Sequence, residues 1–279
     1  MNYEEKLATV VLELGKKGYC VKRQNIFKNG ELRDALLVEA TDTAYAVFFI
    51  DRIIGGTPDE IAAYIEHAML NNDAPDIRLD DPEYVLKHIY IGLQRASDEP
   101  VTKRPSPFED IDEYLCIRQV EQNGVLCAKL PAGSLWADLT EEELWSKAYE
   151  NVCNDTIIRT IEDVIFGIAE KNGVQIAPET SISPIPIYIV TGNNTNKGAA
   201  AILNRQAIKD FAEKHEADKI IMLPLSVHEV LILPYNSESM DELSGMVKDI
   251  NLSTVALEDQ LGNKAYLIDV KDYVNNATI

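Results

Sequence analysis

The sequence predicts an α+β protein: mixed or antiparallel sheets built from hairpins, with helices packed on them, and room for two subdomains. Three observations carry that prediction. Apolar residues recur at helical spacing in some stretches and form short β-rich runs in others. Asn-Gly pairs at Asn29-Gly30 and Asn123-Gly124 sit between such runs, where a tight hairpin needs positive φ. Helices and hairpins also interleave without the repeating strand–helix–strand unit of a doubly wound sheet.

The elements follow in order. Tyr3, Leu7, Val10, Val11 and Leu14 lie on one helical face. Asn2 with Glu5 forms a capping box ahead of them, and Gly15 and Gly18 mark the exit. Residues 19–27 and 32–40 read as two strands around Asn29-Gly30. Residues 44–54 are apolar at nearly every position, and periodicity does not decide between buried strand and buried helix. Thr57-Pro58-Asp59-Glu60 starts a helix, with Thr as N-cap and Pro in the first turn. Asp81-Pro82-Glu83 opens another, with Val85, Ile89 and Leu93 inward.

Residues 97–108 hold Pro100, Pro105 and Pro107 among charges, so this stretch is the expected linker between a 1–99 and a 109–279 subdomain, unless the chain is a single domain. A second hairpin spans 114–130. Thr140 with Glu143 is a capping box for a helix burying Leu144, Ala148 and Val152, whose packing is also the expected use of Trp136 and Trp145. A further helix is expected to about residue 172, with Ile157, Ile161, Val164, Ile165 and Ile168 inward. The last third reads as a strand at 185–190, a helix at 198–215, strands at 219–223 and 229–233, a helix at 238–250 and a closing strand at 265–270. The strands at 219–223 and 229–233 are expected to pair antiparallel, with 185–190 in the same sheet.

Composition narrows the function. The 279 residues carry 26 Lys and Arg against 46 Asp and Glu, a net charge of −20. Nucleic acids and anionic membranes are bound mainly through Lys and Arg, so neither is an expected partner. The N-terminal Met1-Asn2-Tyr3-Glu4-Glu5 is acidic where a secretory signal is basic. No apolar run reaches the ~18 residues of a membrane span. Cys20, Cys116, Cys127 and Cys153 are scattered, which fits reduced thiols in the cytoplasm and offers no zinc spacing. Neither a metal nor a cofactor is expected.

Two segments could carry chemistry. Ser226, His228 and Glu229 place a hydroxyl, an imidazole and a carboxylate within four residues. Read as a strand, the segment puts Ser226 and His228 on one face and Glu229 on the other. Neither the second His of a zinc protease nor a GxSxG elbow accompanies them, and a turn whose polar groups satisfy the backbone is the structural alternative. The loop containing Thr191, Asn193, Asn194, Lys197 and Gly198 joins a strand to a helix, where backbone amides can cradle an anion. Its Lys-Gly order is not that of a P-loop.

Ile187-Tyr188-Ile189-Val190-Thr191, Gly198-Ala199-Ala200, the 223–230 segment, Met246-Val247 with Asn251, and Leu261 with Tyr266 follow one another in order. With Leu144-Trp145, Ala148 and Asn151 upstream, they resemble the bacterial family of unknown function DUF5688, most closely from Leu144 onward. This chain has Leu225-Ser226 where that family typically has two serines, and Thr191-Gly192 where it has Thr-Asn. The resemblance implies a bacterial cytoplasmic protein and brings no assigned activity. The expected function is therefore a non-enzymatic binding or interaction protein for an unknown protein or small ligand. The alternatives are a hydrolase or phosphate-ligand enzyme using Ser226, His228 and the 193–198 loop, and an acidic decoy of a nucleic-acid-binding partner.

Overall fold

The computed structural model describes residues 2–41, 44–71, 77–121, 124–133, 138–171, 173, 186–193 and 196–276. It divides into two compact units, residues 1–77 and 78–279.

In the first unit, α1 (Tyr3–Lys16) starts from the reciprocal Asn2–Glu5 capping box. Strands β1 (Val21–Lys28) and β2 (Glu31–Thr41) pair antiparallel through a two-residue turn. Asn29 and Gly30 adopt φ of 49° and 77°, the left-handed pair such a turn requires. The undecided 44–54 run is split: β3 (Ala44–Phe49) pairs with β2, and α2 (Ile50–Ile53) follows at once. In α3 (Pro58–Asn71), Thr57 and Glu60 cap each other, Thr57 N–H to Glu60 Oε2 at 2.7 Å and Glu60 N–H to Thr57 Oγ1 at 3.3 Å. Leu7, Val10 and Leu14 of α1 and Ile61 and Ile65 of α3 close one core with Leu36 and Val38 of β2.

The second unit opens with α4 (Pro82–His88), capped by Asp81. The helix expected to continue through Ile89 and Leu93 instead stops at His88. Residues Ile89–Arg95 form β4, because β6 (Ile111–Glu121) offers them a full antiparallel partner. β6 is central: β4 lies along one edge, and β5 (Lys103–Pro105) and β7 (Gly124–Lys129) follow one another along the other. The proline-rich 97–108 stretch is thus no linker. The strands on either side of it pair, and the division of the chain falls at 77/78 instead.

α5 (Glu141–Asp155) begins at the expected Thr140–Glu143 capping box. The next residues differ from expectation. Thr156–Thr160 form strand β8, and α6 covers only Ile161–Lys171, since β8 gains pairing with β9 (Tyr188–Gly192). The expected 198–215 helix is two elements: a 3-10 helix, Gly198–Leu203, and α7 (Arg205–Lys214), which Asn204 restarts by accepting from the Ala207 N–H at 3.1 Å. β10 (Lys219–Leu223), β11 (Val230–Pro234) and β12 (Tyr266–Asp269) complete a five-stranded antiparallel sheet in the order β12-β10-β11-β9-β8. α8 (Met240–Ser253) packs Val247 against Ile221, Leu223 and Leu233. A last helix, α9 (Val270–Asn275), follows β12 where the closing strand was expected to run on to residue 270.

Candidate functional site

The two loops singled out in the sequence meet. β11 runs between β10 and β9, so the turn before β11 lies beside the loop that leaves β9. The Thr191 hydroxyl donates to the His228 carbonyl at 2.9 Å, and the Lys197 N–H donates to His228 Nδ1 at 3.1 Å. Gly198 lies at the closest approach. A Cβ there would overlap the Thr191 hydroxyl and sit 2.5 Å from the Gly192 nitrogen and 2.9 Å from the His228 carbonyl oxygen. Lys197 itself is left-handed, at φ 57°. Asn193 donates its N–H to Asp155 O at 3.1 Å, while Asn194 lies outside the described residues.

Convergence does not make a nucleophile. The 224–229 segment is a turn between β10 and β11, the alternative to the strand reading, apart from a single bridge from Ser226 to Gln260. Ser226 Oγ accepts the N–H groups of His228 at 3.1 Å and Glu229 at 3.2 Å, and donates to Glu229 Oε1 at 3.2 Å. That is the backbone-satisfying role of a serine in a turn. His228 takes a backbone proton at Nδ1, so its neutral form carries the proton on Nε2. Nε2 lies 3.5 Å from Asp259 Oδ1. The hydroxyl and the imidazole therefore serve separate hydrogen bonds, the hydroxyl within the turn and the imidazole to Lys197, while the Val227 backbone ties the turn to Ala199 and Asp259.

A cleft lies elsewhere in the second unit. A cavity of about 730 Å³, the size of small-molecule sites, is walled by β5, β6, α5, β12 and α9. Trp145 and Tyr149 stand one turn apart on the same side of α5. Arg104 pairs with Glu113 across the β5–β6 register, Nε to Oε2 at 2.9 Å, and lays its guanidinium 4.1 Å from the centre of the Trp145 ring. Burial pushes the Glu113 carboxyl up, against the pull of Arg104. Elsewhere in the lining the Arg205 guanidinium sits 5.5 Å from the Tyr273 ring. It makes no ion pair with any of the described residues. Tyr273 is held by Phe108, centroids 6.0 Å apart, and donates its hydroxyl to Ile202 O at 3.0 Å. Burial pushes the Tyr266 phenol up to about 12 and raises that of Tyr273 too, so both rings stay neutral at ordinary pH. Asp269 and Asp272 stand at α9, the Asp269 carboxylate capping that helix through the Asp272 N–H.

Sequence reasoning missed this cleft, apart from treating Trp145 as a packing residue. Trp145 is indeed buried, and its ring also forms part of the wall. The lining residues run from Arg104 to Asn276 with no linear spacing to detect. Among the described residues, no group of three His, Cys, Asp or Glu side chains could hold a metal, and no helix is long and apolar enough to cross a membrane.

No curated protein and no solved structure matches the chain. A family model does, over residues 114–269, which take in both meeting loops and the part of the cleft wall from Trp145 to Asp269. That match spans more than half of the sequence, so the chain belongs to the family of unknown function DUF5688.

Proposed function

We propose that the protein is a non-enzymatic binding protein, and that the aromatic cleft holds a planar small molecule bearing one acidic group. The observation that carries this reading is the Arg205 guanidinium, set against Tyr273 and in no ion pair with the described residues, in a cavity that the rings of Trp145, Tyr149 and Tyr266 also line. A ring slots against Trp145 and Tyr273, and the acid takes the charge-assisted hydrogen bonds that Arg205 has to give. Arg104 is less available, because Glu113 already neutralises it. A hydrolase built on Ser226 and His228 has less support, since each of those groups is engaged in holding the turn. Scattered cysteines favour a cytoplasmic setting, the family resemblance favours a bacterial one, and the acidic composition disfavours nucleic acid and membrane partners.

Titration with indole-3-acetate, 4-hydroxybenzoate and their neutral amides, read by quenching of Trp145 fluorescence, tests the proposal. The carboxylates are expected to bind at least tenfold more tightly than the amides, and Arg205→Gln to erase that margin, worth about 1.5–3 kcal/mol for a hydrogen bond to a charged group. Absence of binding by every compound at millimolar concentration, or an equal response to acid and amide, would overturn it.

A further inference from the structure

A different face of the second unit gathers thiols and cations. In the antiparallel β6–β7 hairpin, Arg118 stands opposite Cys127 and Cys116 opposite Lys129. Residues at that spacing share one face, so all four side chains project together. Lys129 Nζ is anchored to Gln94 Oε1 at 2.5 Å and Glu99 Oε2 at 2.7 Å, and lies 4.6 Å from the centre of the Tyr114 ring. Arg118 is buried, with one nitrogen on Asp155 at 2.7 Å. Its Nε and Nη2 have no hydrogen-bond partner among the described residues. Lys197, on the loop that reaches His228, adds a positive charge that acts on Cys127.

We propose that Cys127 is a peroxide-reactive thiol, a modification site formed by the Cys116 thiol and the cationic residues that share its face of the β6–β7 hairpin. Cys127 is partly exposed, so a molecule as small as a peroxide can reach it, while Cys116 beside it is buried. The environment acts on the four thiols differently. Cys127 is pulled down to about 7, first by hydrogen bonding with Cys116, then by Lys197, Tyr114 and Lys129, against its burial. Hydrogen bonding to Glu39 pushes the exposed Cys20 up, and burial pushes Cys153 up. Near neutral pH, Cys127 therefore holds far more thiolate, the reacting form, than the more accessible Cys20.

The chemistry balances with peroxide as the oxidant. The Cys127 thiolate attacks one peroxide oxygen; an S–O bond forms as the O–O bond breaks, and the leaving hydroxide takes a proton to become water. Sulfur gives up two electrons, and the peroxide gains them. Attack by the Cys116 sulfur would then form an S–S bond and expel the oxygen now on sulfur as a second water, carrying the Cys116 proton.

The test uses the reduced, folded, full-length protein, treated at pH 7 with one equivalent of hydrogen peroxide in the presence of dimedone, followed by peptide mass mapping. Cys127 should appear as the dimedone adduct or in a disulfide with Cys116, at least tenfold ahead of Cys20. Cys116→Ser should convert any disulfide into adduct. The wild-type rate should level off above a midpoint near pH 7, and Lys197→Gln should move that midpoint upward. Oxidation of Cys20 ahead of Cys127, or a wild-type rate still climbing between pH 8 and 9, would overturn the proposal without reliance on any variant.

Discussion

Gly198→Ala probes the contact that joins the two loops. The added methyl would overlap the Thr191 hydroxyl and come within 2.5 Å of the Gly192 nitrogen and 2.9 Å of the His228 carbonyl oxygen, where ordinary contact begins at 3.4 Å. Two of these three neighbours are backbone atoms, so relief requires the loops to part by roughly 1 Å, and over-packing of this kind costs about 1–3 kcal/mol. Parting them also stretches the Thr191–His228 and Lys197–His228 hydrogen bonds, each worth about 1 kcal/mol. The lower entropy of the unfolded alanine chain returns about 0.4–1 kcal/mol. The net expectation is a loss of about 2–3 kcal/mol. For a unit of this size, that lowers Tm by roughly 4–12 °C. Urea and thermal unfolding followed by tryptophan fluorescence report on the second unit, which contains both Trp136 and Trp145. Gly245→Ala is the control: the site lies within α8 with no atom near the new methyl, so stability should hold or rise. A Gly198→Ala protein that melts with the wild type would refute the claim that the loops meet at van der Waals distance.

Two further outcomes follow from the structure. Ser226→Ala should cost about 1–3 kcal/mol, because two N–H groups in a buried turn lose their acceptor, yet leave the affinity of indole-3-acetate unchanged; a stable variant that no longer binds would restore Ser226 to a functional site. Arg23 holds the Asp34 carboxyl below its usual value, so their pair contributes fully above the unfolded value of about 3.9 and is lost as pH falls through the lower folded one. Both side chains are substantially exposed, so the contribution is at most about 1 kcal/mol. Circular dichroism melts of wild type and Asp34→Asn should differ near neutrality and converge below pH 3; a gap that widens on acidification would reverse the assigned sign.

Local chemistry made much of the fold legible in the sequence. The capping boxes at Asn2 and Thr140, the Asn29-Gly30 turn and the N-cap of α3 depend on residues within three positions of one another, and each forms as expected. The α+β class and the antiparallel pairing of 219–223 with its successor follow from such signals, because alternating apolar runs around a short turn leave few other pairings. The placement of β9 in the same sheet followed likewise, and the structure then shows the 193–198 loop meeting His228.

Tertiary structure decided the rest. Ile89–Arg95 and Thr156–Thr160 have apolar patterns compatible with either element, and only the partners β6 and β9, distant in sequence, make them strands. The same holds for 44–54, where pairing with β2 ends at Phe49 and the remainder closes into a helical turn. Pro100, Pro105 and Pro107 gave a local signal of a linker, but β4 and β6 pair across them, and pairing between strands outweighs composition between them. The cleft was invisible for the same reason. Arg104 and Arg205 line one cavity only because strands of two sheets and the helices on them bring segments a hundred residues apart together, and no spacing along the chain encodes that distance.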